Sequence, residues 1–522
     1  MEFSIPQNIR SEHIRKDLLN RFSLKPDKST NETRIYYDSF DWRLYRKKLK
    51  LFSETSSEGR KLIFCSFSRP EIKRSINIKE IPVFVSDFDS FIFRQKLAPV
   101  LDVRALLPQL TIQSKVTRLR YLNKANKICL YINIENPRVI LSDNHYRLIG
   151  KRIKLIPVKG YTKTYEEVSS YLKEKFTVIP AAEDEYSVGV GFLGNAPEVF
   201  YSKQDLKLKA DMASSDALKR IFLWLLDTMK INEGGIVRDI DAEFLHDFRV
   251  AVRKTRSLLG QIKHVFPVSI VEKYADEFAW LGTVTGPARD MHVYLHKFED
   301  YQQSLPENIR PQLEPLRDFL NRKKKSEHVE LVKHLQSTRY KKLIKNWGQF
   351  LSAPLELTAE IYNAEKYLKR VADKQIWKLY RRLLKQGSGI SDNSPDEELH
   401  NLRIMGKKLR YLLEFYENIY PHSKMKRMIG SIKQLQNVLG DFNDYCVQIE
   451  ALGHFEQQMS DESVLSEDTR QAIDLLMDFF RNQQLAIRQH FSERFIQFSD
   501  RQNRKIFKLL FKPDAIAGKV IH

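Results

Sequence analysis

Cysteine is nearly missing from this chain: Cys65, Cys129 and Cys446 are the only three in 522 residues. Scattered and odd in number, they exclude a disulfide framework or a thiolate metal site and fit a reducing compartment. Long apolar runs are also missing. Ile221-Phe222-Leu223-Trp224-Leu225-Leu226 falls far short of the roughly 20 residues a membrane span requires. The start, Met1-Glu2-Phe3-Ser4-Ile5-Pro6, has no charged opening followed by an apolar stretch, so no secretory signal is read there and a cytoplasmic protein is expected. With 19 Gly and 19 Pro the chain is not of low complexity. It contains no Gly-rich phosphate loop, no Cys and His at catalytic spacing and no serine elbow, so catalysis has no visible seat and no cofactor is expected. Acid is in deficit too: 66 Asp and Glu stand against 87 Lys and Arg, a net charge of +21. That balance favours a phosphate-rich partner or an anionic membrane surface without choosing between them. What remains is globular, 42% hydrophobic and 29% charged, and long enough for two cores.

A basic helix face occurs twice. The first copy reads His246, Arg249, Arg253, Lys254, Arg256 and the second His400, Arg403, Lys407, Lys408, Arg410, displaced by 154 residues. The same displacement relates Phe266-Pro267 to Tyr420-Pro421, Leu281 to Leu435, Gly286 to Gly440, Asp290 to Asp444 and Val293 to Val447. A duplicated helical unit explains this economically and predicts a pseudo-twofold body whose two cationic arrays face one cleft. At about 100° per residue, positions 0, 3, 7 and 10 of each array fall within roughly an 80° arc. The opposite side carries Phe248, Ala251, Val252, Leu258 and Leu259 in one copy and Leu402, Met405, Leu409, Leu412 and Leu413 in the other, which should be core. Ser394 is placed to cap the second helix, Pro395 to open it, and Asp396 and Glu397 to favour its positive end. Like charges three and four residues apart repel, so a crowded cationic set built twice calls for an anionic ligand.

These residues resemble the CHAD domain. The resemblance rests on the His-x-x-Arg helix starts, on Lys407-Lys408-Leu409-Arg410-Tyr411, and on the returning segments Leu281-Gly282 to Asp290 and Leu435 to Asp444. It spans residues 213–505, with halves at about 213–360 and 361–505 and a tail at 506–522. It implies an all-helical, two-bundle fold around a basic centre, inorganic polyphosphate as partner, and association with polyphosphate granules. Ser337-Thr338-Arg339-Tyr340 resembles a further segment of that family and makes Arg339 a candidate contact.

Before residue 200 the period is that of strands: Ile128, Leu130, Ile132 and Ile134 alternate with Lys127, Cys129, Tyr131 and Asn133, and Ile153 and Leu155 with Arg152 and Lys154. Gly194, Asn195 and Pro197 mark a boundary, placed between Gly191 and Asp211. Tyr36-Tyr37-Asp38-Ser39-Phe40-Asp41-Trp42-Arg43-Leu44-Tyr45-Arg46 resembles the CYTH superfamily of triphosphate tunnel enzymes, which implies an antiparallel barrel. The fold class expected is therefore multidomain α+β: a degenerate CYTH-like β-barrel-like domain at 1–200, then a duplicated all-α bundle. Where the resemblance implies Glu-x-Glu-x-Lys, this chain has Glu2, Ser4 and Pro6, and the later strand Arg152 to Lys159 holds no acid. Mg²⁺ and Mn²⁺ need hard oxygen ligands, so metal-dependent hydrolysis is not expected. Arg34, Lys79, Arg118 and Arg120 are candidate remaining anion contacts, with exposed strand-edge charge as the plain alternative.

Lys374, Lys378, Arg381 and Lys385 recur on one helix face and are taken, Lys385 aside, as an extension of the basic surface. Arg322-Lys323-Lys324-Lys325 reads as a solvated helix surface. Three functions stay open: non-catalytic polyphosphate binding, favoured; a divergent triphosphatase using Glu2; and nucleic-acid binding, which lacks a reader motif or an aromatic stacking platform.

Overall fold

A computed structural model describes residues 2–56, 59–68, 73–142, 145–193, 206–391 and 393–513. The chain divides into two compact units, Met1–Lys203 and Gln204–His522. Gly194, Asn195 and Pro197 lie outside the described residues.

The first unit is an antiparallel sheet of β1 (Glu2–Ser4), β2 (Leu24–Pro26), β3 (Thr30–Asp38), β4 (Leu49–Ser56), β5 (Gly59–Ser66), β6 (Arg74–Asn77), β7 (Leu107–Leu122), β8 (Ile128–Ser142), β9 (His145–Leu148), β10 (Arg152–Pro157) and β11 (Ile179–Pro180). The helices are α1 (Ser11–Arg21), α2 (Arg43–Arg46), α3 (Phe91–Leu101), α4 (Thr162–Phe176) and α5 (Glu185–Gly191). Neighbouring strands run β11-β1-β10-β8-β7-β3-β4-β5-β6. Among the described residues nothing pairs the two ends of that path, so the barrel-like domain is an open sheet. Period-two alternation gives β8 two buried faces. Leu130, Ile132 and Ile134 pack with Ile14 and Leu18 of α1 and with Val168 and Leu172 of α4. On the other face Asn133 and Glu135 are buried as well. The segment from Tyr36 to Arg46 is held by Asp38, whose carboxylate accepts from the backbone N–H groups of Ser39, Leu44 and Tyr45 at 2.7–2.8 Å. Burial nevertheless pushes its pKa up to about 7.

The second unit is helical: α6 (Ser214–Val237), α7 (Ala242–Gln261), α8 (Val268–Val284), α9 (Gly286–His296), α10 (Phe298–Gln303), α11 (Glu314–Gln336), α12 (Thr338–Ser352), α13 (Leu368–Gly387), α14 (Asp396–Phe415), α15 (His422–Asp461), α16 (Glu467–Phe498) and α17 (Arg501–Phe511). The 154-residue repeat is visible in the starts: α6 with α13, α7 with α14, α8 with α15. Both ends of α7 and α14 match at that displacement. The copies meet at an antiparallel bridge between Ala213 and Tyr367, themselves 154 residues apart, flanked by Ser214 N–H donating to Lys366 O at 2.9 Å and Leu368 N–H to Met212 O at 2.8 Å. A pseudo-twofold relation thus passes through this pair.

The copies differ where Pro287 stands at the start of α9. Proline removes a donor and clashes with the preceding turn, so the first copy breaks between α8 and α9. The equivalent residue is Asp441, and α15 runs unbroken for 40 residues. At α14, Pro395 occupies the N-cap position without a side-chain cap. Ser394 does not cap; its hydroxyl accepts from Ser391 N–H at 3.2 Å. Asp396, Glu397 and Glu398 fill the first turn, the favourable place for acid. A domain end at 505 falls inside α17, whose Phe507 and Phe511 are wholly buried. Phe507 stacks on Tyr380 of α13 at 3.7 Å, and burying such rings contributes about 1.5–3 kcal/mol each.

Candidate functional site

The cationic side chains of α7 and α14 form one cluster drawn from both copies. α7 and α14 pack against each other, their apolar faces, Phe248, Val252 and Leu259 on one and Leu402, Leu409 and Leu412 on the other, being buried. Asp241 fixes the start of α7 by accepting from Glu243 N–H at 2.9 Å. Arg253 of α7 lies close enough to Arg403 and Lys407 of α14 to disfavour the charged form of both. Lys407 falls to about 8, first through burial and then through Arg403 and Arg253. Arg249 falls to about 10 through burial, with Arg253, Arg289 and Arg256 adding to it and Asp290 opposing. Arg289 of α9 belongs to the same cluster. Nothing in the helix-face spacing pointed to it, because it comes from the returning segment, one residue before the matched Asp290.

Neutralisation is sparse. Arg403 reaches Asp444 through Nη2 at 3.5 Å while its Nε is buried without a hydrogen-bond partner, and Arg410 reaches Glu414 through Nε at 3.7 Å, too far for a hydrogen bond. Among the described residues Arg253, Arg256 and Lys407 make no hydrogen bond or ion pair. Arg249 is oriented by the chain itself, donating to Gly282 O at 2.9 Å and Thr285 Oγ1 at 2.8 Å, at the α8 break. Gly282 leaves room there, since a Cβ would stand 2.9 Å from Arg256 Nη1. His400 is exposed, and its Nδ1 lies 2.7 Å from Asn443 Oδ1, which requires the proton on Nδ1. His246 is half-buried on α7.

Other expected residues are not gathered here. Lys254 and Lys408 lie off the face, because a position eight residues along a helix points about 80° to the wrong side of it. Lys254 sits within 5.9 Å of the Trp224, Tyr411 and Phe415 rings and 3.9 Å from Glu414. Lys408, with Lys374 and Lys378, lines a separate cleft; Arg381 does not line it, whereas the neighbouring Arg382 does. Arg339 donates through Nε and Nη2 to both oxygens of Glu277 at 3.0 and 3.2 Å and lies 4.2 Å over Trp280, so its fork is already occupied by a carboxylate.

Residues 220–453 match the CHAD domain family model. This segment is similar to the CHAD domain. An uncharacterised protein of Mycobacterium tuberculosis is 26% identical over 261 residues, 49% of this chain and 47% of that one; the chain spans about half the length of the curated relatives it matches. The CHAD domain of the plant Ricinus communis aligns at 24% identity over 56% of this chain and 96% of its own, with a TM-score of 0.47. A Hippeastrum protein described as a putative adenylyl cyclase with a dominant triphosphatase activity aligns at 13% identity over 38% of this chain and 97% of its own, with a TM-score of 0.27. No helix among the described residues is long and apolar enough to cross a membrane.

Outside the matched segment, the inner face of the sheet carries a dense ionic network in place of an open anion site. Arg34 is buried and is not available to a ligand: it meets Glu32 at 2.8 Å, Glu54 at 3.2 Å, Glu135 at 3.2 Å and Glu185 at 2.7 Å. Lys154 meets Glu135 at 2.8 Å and Glu185 at 3.0 Å. Arg118 and Arg120 are half-exposed and paired with Glu32 and Asp27, while Lys79 is exposed on a bend. Acid absent from β10 is therefore supplied by β3, β4, β8 and α5. Glu135 was legible as the next residue on the polar face of β8; Glu185 follows the strands and carried no such signal. Arg34 and Lys154 hold the Glu185 carboxyl well below its ordinary range. Glu2 is paired with Arg152 at 2.6 Å. Among the described residues no three His, Cys, Asp or Glu side chains are grouped to hold a metal ion.

Proposed function

We propose that the CHAD domain binds inorganic polyphosphate along the face shared by α7 and α14. One observation carries this reading: unneutralised Arg253, Arg256 and Lys407, with the orphan Nε donor of Arg403 and the loosely paired Arg410, converge from both copies on one cluster. Arginine suits the task because its planar fork pairs with two phosphate oxygens, while lysine supplies a point charge. A chain long enough to touch both copies gains from effective concentration, so long polyphosphate should bind far more tightly than tripolyphosphate. Association with polyphosphate granules follows from this reading. The first unit is assigned no hydrolytic step, since the carboxylates on its inner face are already engaged by Arg34 and Lys154.

The test is a competition on the full chain between long polyphosphate and single-stranded RNA at matched salt, with Arg253→Glu/Arg403→Glu as the altered protein. Preference for polyphosphate, a steep loss of affinity with salt by analogy with counterion release, and at least a 100-fold loss in the double variant are expected. RNA outcompeting polyphosphate, or a double variant that binds like the parent, would overturn the reading. Release of phosphate from tripolyphosphate with Mg²⁺ or Mn²⁺, lost in Glu2→Ala, would instead establish an enzyme.

A further inference from the structure

Beside the bridge between the copies lies a cleft of about 1210 Å³, lined from α7, α13, α14 and the segments that precede α6 and α13. The charged groups of six of its cations, Lys263, Arg370, Lys374, Lys378, Arg382 and Lys408, make no hydrogen bond or ion pair among the described residues. The carboxylates lining it are Asp211 and Asp373, and Asp373 is already held by Lys369 at 2.7 Å and by Tyr420 at 2.7 Å. So much positive charge in one concavity raises the local concentration of anions, and the volume is of the order of a small-molecule site.

The other copy shows what this place looks like when it is closed. Displaced by 154 residues, Lys408 becomes Lys254, Lys378 becomes Trp224, Gly260 becomes Glu414 and Gln261 becomes Phe415. There the lysine is packed among Trp224, Tyr411 and Phe415 and neutralised by Glu414. Around Lys408 the ring is replaced by the cation Lys378 of the same copy, and the carboxylate and the phenyl by Gly260 and Gln261 of the first copy, so the equivalent lysine faces an open cleft. An ordinary solvated surface gives no reason for both changes, removal of the plug and addition of charge, to occur together at one of two equivalent places.

We propose that this cleft is a second anion site, present at only one of the two equivalent places, that takes a compact triphosphate group, either free tripolyphosphate or the triphosphate of a nucleotide. It does not depend on the α7–α14 reading, since Lys407 and Lys408 are successive residues and point about 100° apart. The exposed Tyr367 lines the cleft, which offers a surface for a base if the triphosphate is a nucleotide's.

Calorimetric titration of the full chain with tripolyphosphate, ATP and pyrophosphate tests this. Lys374→Glu/Lys378→Glu should lose at least tenfold in affinity for tripolyphosphate while keeping long-polyphosphate binding. Arg253→Glu/Arg403→Glu should do the reverse. Lys374→Ser/Lys378→Ser, with no new charge, should show the same direction with a smaller loss, and Lys378→Trp, which restores the ring of the first copy, should close the site. Tighter binding of ATP than of tripolyphosphate, lost in Tyr367→Ala, assigns a nucleotide; equal binding assigns the bare triphosphate. Tripolyphosphate titrations unchanged in both lysine variants, or no tripolyphosphate binding at all, would overturn the proposal whatever becomes of the long polymer.

Discussion

Replacing Lys407 by methionine should make the free protein more stable and the polyphosphate complex weaker. Burial and the neighbouring Arg403 and Arg253 lower the Lys407 pKa from 10.5 to about 8. At about 1.4 kcal/mol per pKa unit, keeping this ammonium charged in the folded state costs at most about 3.5 kcal/mol, and about 1–2 kcal/mol once partial hydration and salt screening are allowed for. Methionine keeps length and apolar contact without the charge. Below pH 8 both folded and unfolded wild-type chains hold the proton, so the cost is fully present. Between pH 8 and 10.5 the unfolded chain still holds a proton that the folded chain has released, so stability from this group rises with pH. The advantage of Lys407→Met should therefore be complete at pH 7 and shrink across that window. Urea unfolding midpoints of both proteins at pH 7 and pH 10 measure it. A less stable variant, or an advantage independent of pH, would refute the view that the cluster is electrostatically strained. Polyphosphate affinity at pH 7 should fall about tenfold, the order expected for one lost charge-assisted contact.

Arg34→Met should destabilise the first unit by about 3–5 kcal/mol, because four carboxylates lose their shared cation; thermal unfolding reads this, and polyphosphate affinity should not change. Phe511→Ala should cost about 3–5 kcal/mol by opening a cavity beside Phe507 and Tyr420, measured by urea denaturation. Ala in place of Pro287 should restore a backbone donor at the α8–α9 break; exchange of the Arg249-bonded Thr285 region, followed by hydrogen–deuterium exchange, should slow if proline causes the break and stay unchanged if Arg249 does.

Much of the helical unit was legible because its signals are local and doubled. A displacement of 154 residues needs no knowledge of tertiary structure, and helix periodicity alone separates Arg249, Arg253 and Arg256 from Phe248 and Val252. The same periodicity, read with more care about angle, would have set Lys254 and Lys408 apart. Arg289 and the cleft cations Lys263, Arg370 and Arg382 were hidden for a different reason: segments far apart in the chain bring them to their sites. In the first unit the alternation in β8 and β10 was sound, but period alone does not say what covers the polar face, where Asn133 and Glu135 are buried. Arg34 reads as a strand-edge charge until Glu135 and Glu185, more than a hundred residues later, are folded against it. The open edges of the sheet were likewise invisible, since strand order depends on pairing and not on period.

The bridge between Ala213 and Tyr367 gives the two copies a common origin in space, and with it a property of the ligand can be stated. A receptor with a twofold relation presents the same sequence of charges to a strand entering from either side. A linear chain of identical phosphates is the same read forwards or backwards, so both of its entry directions are productive and its contacts with the two halves are equivalent. RNA has a 5′ and a 3′ end, and no strand of it can satisfy both halves alike. On the proposed reading, the directionality of the ligand's backbone, and not only its charge density, is what this architecture distinguishes.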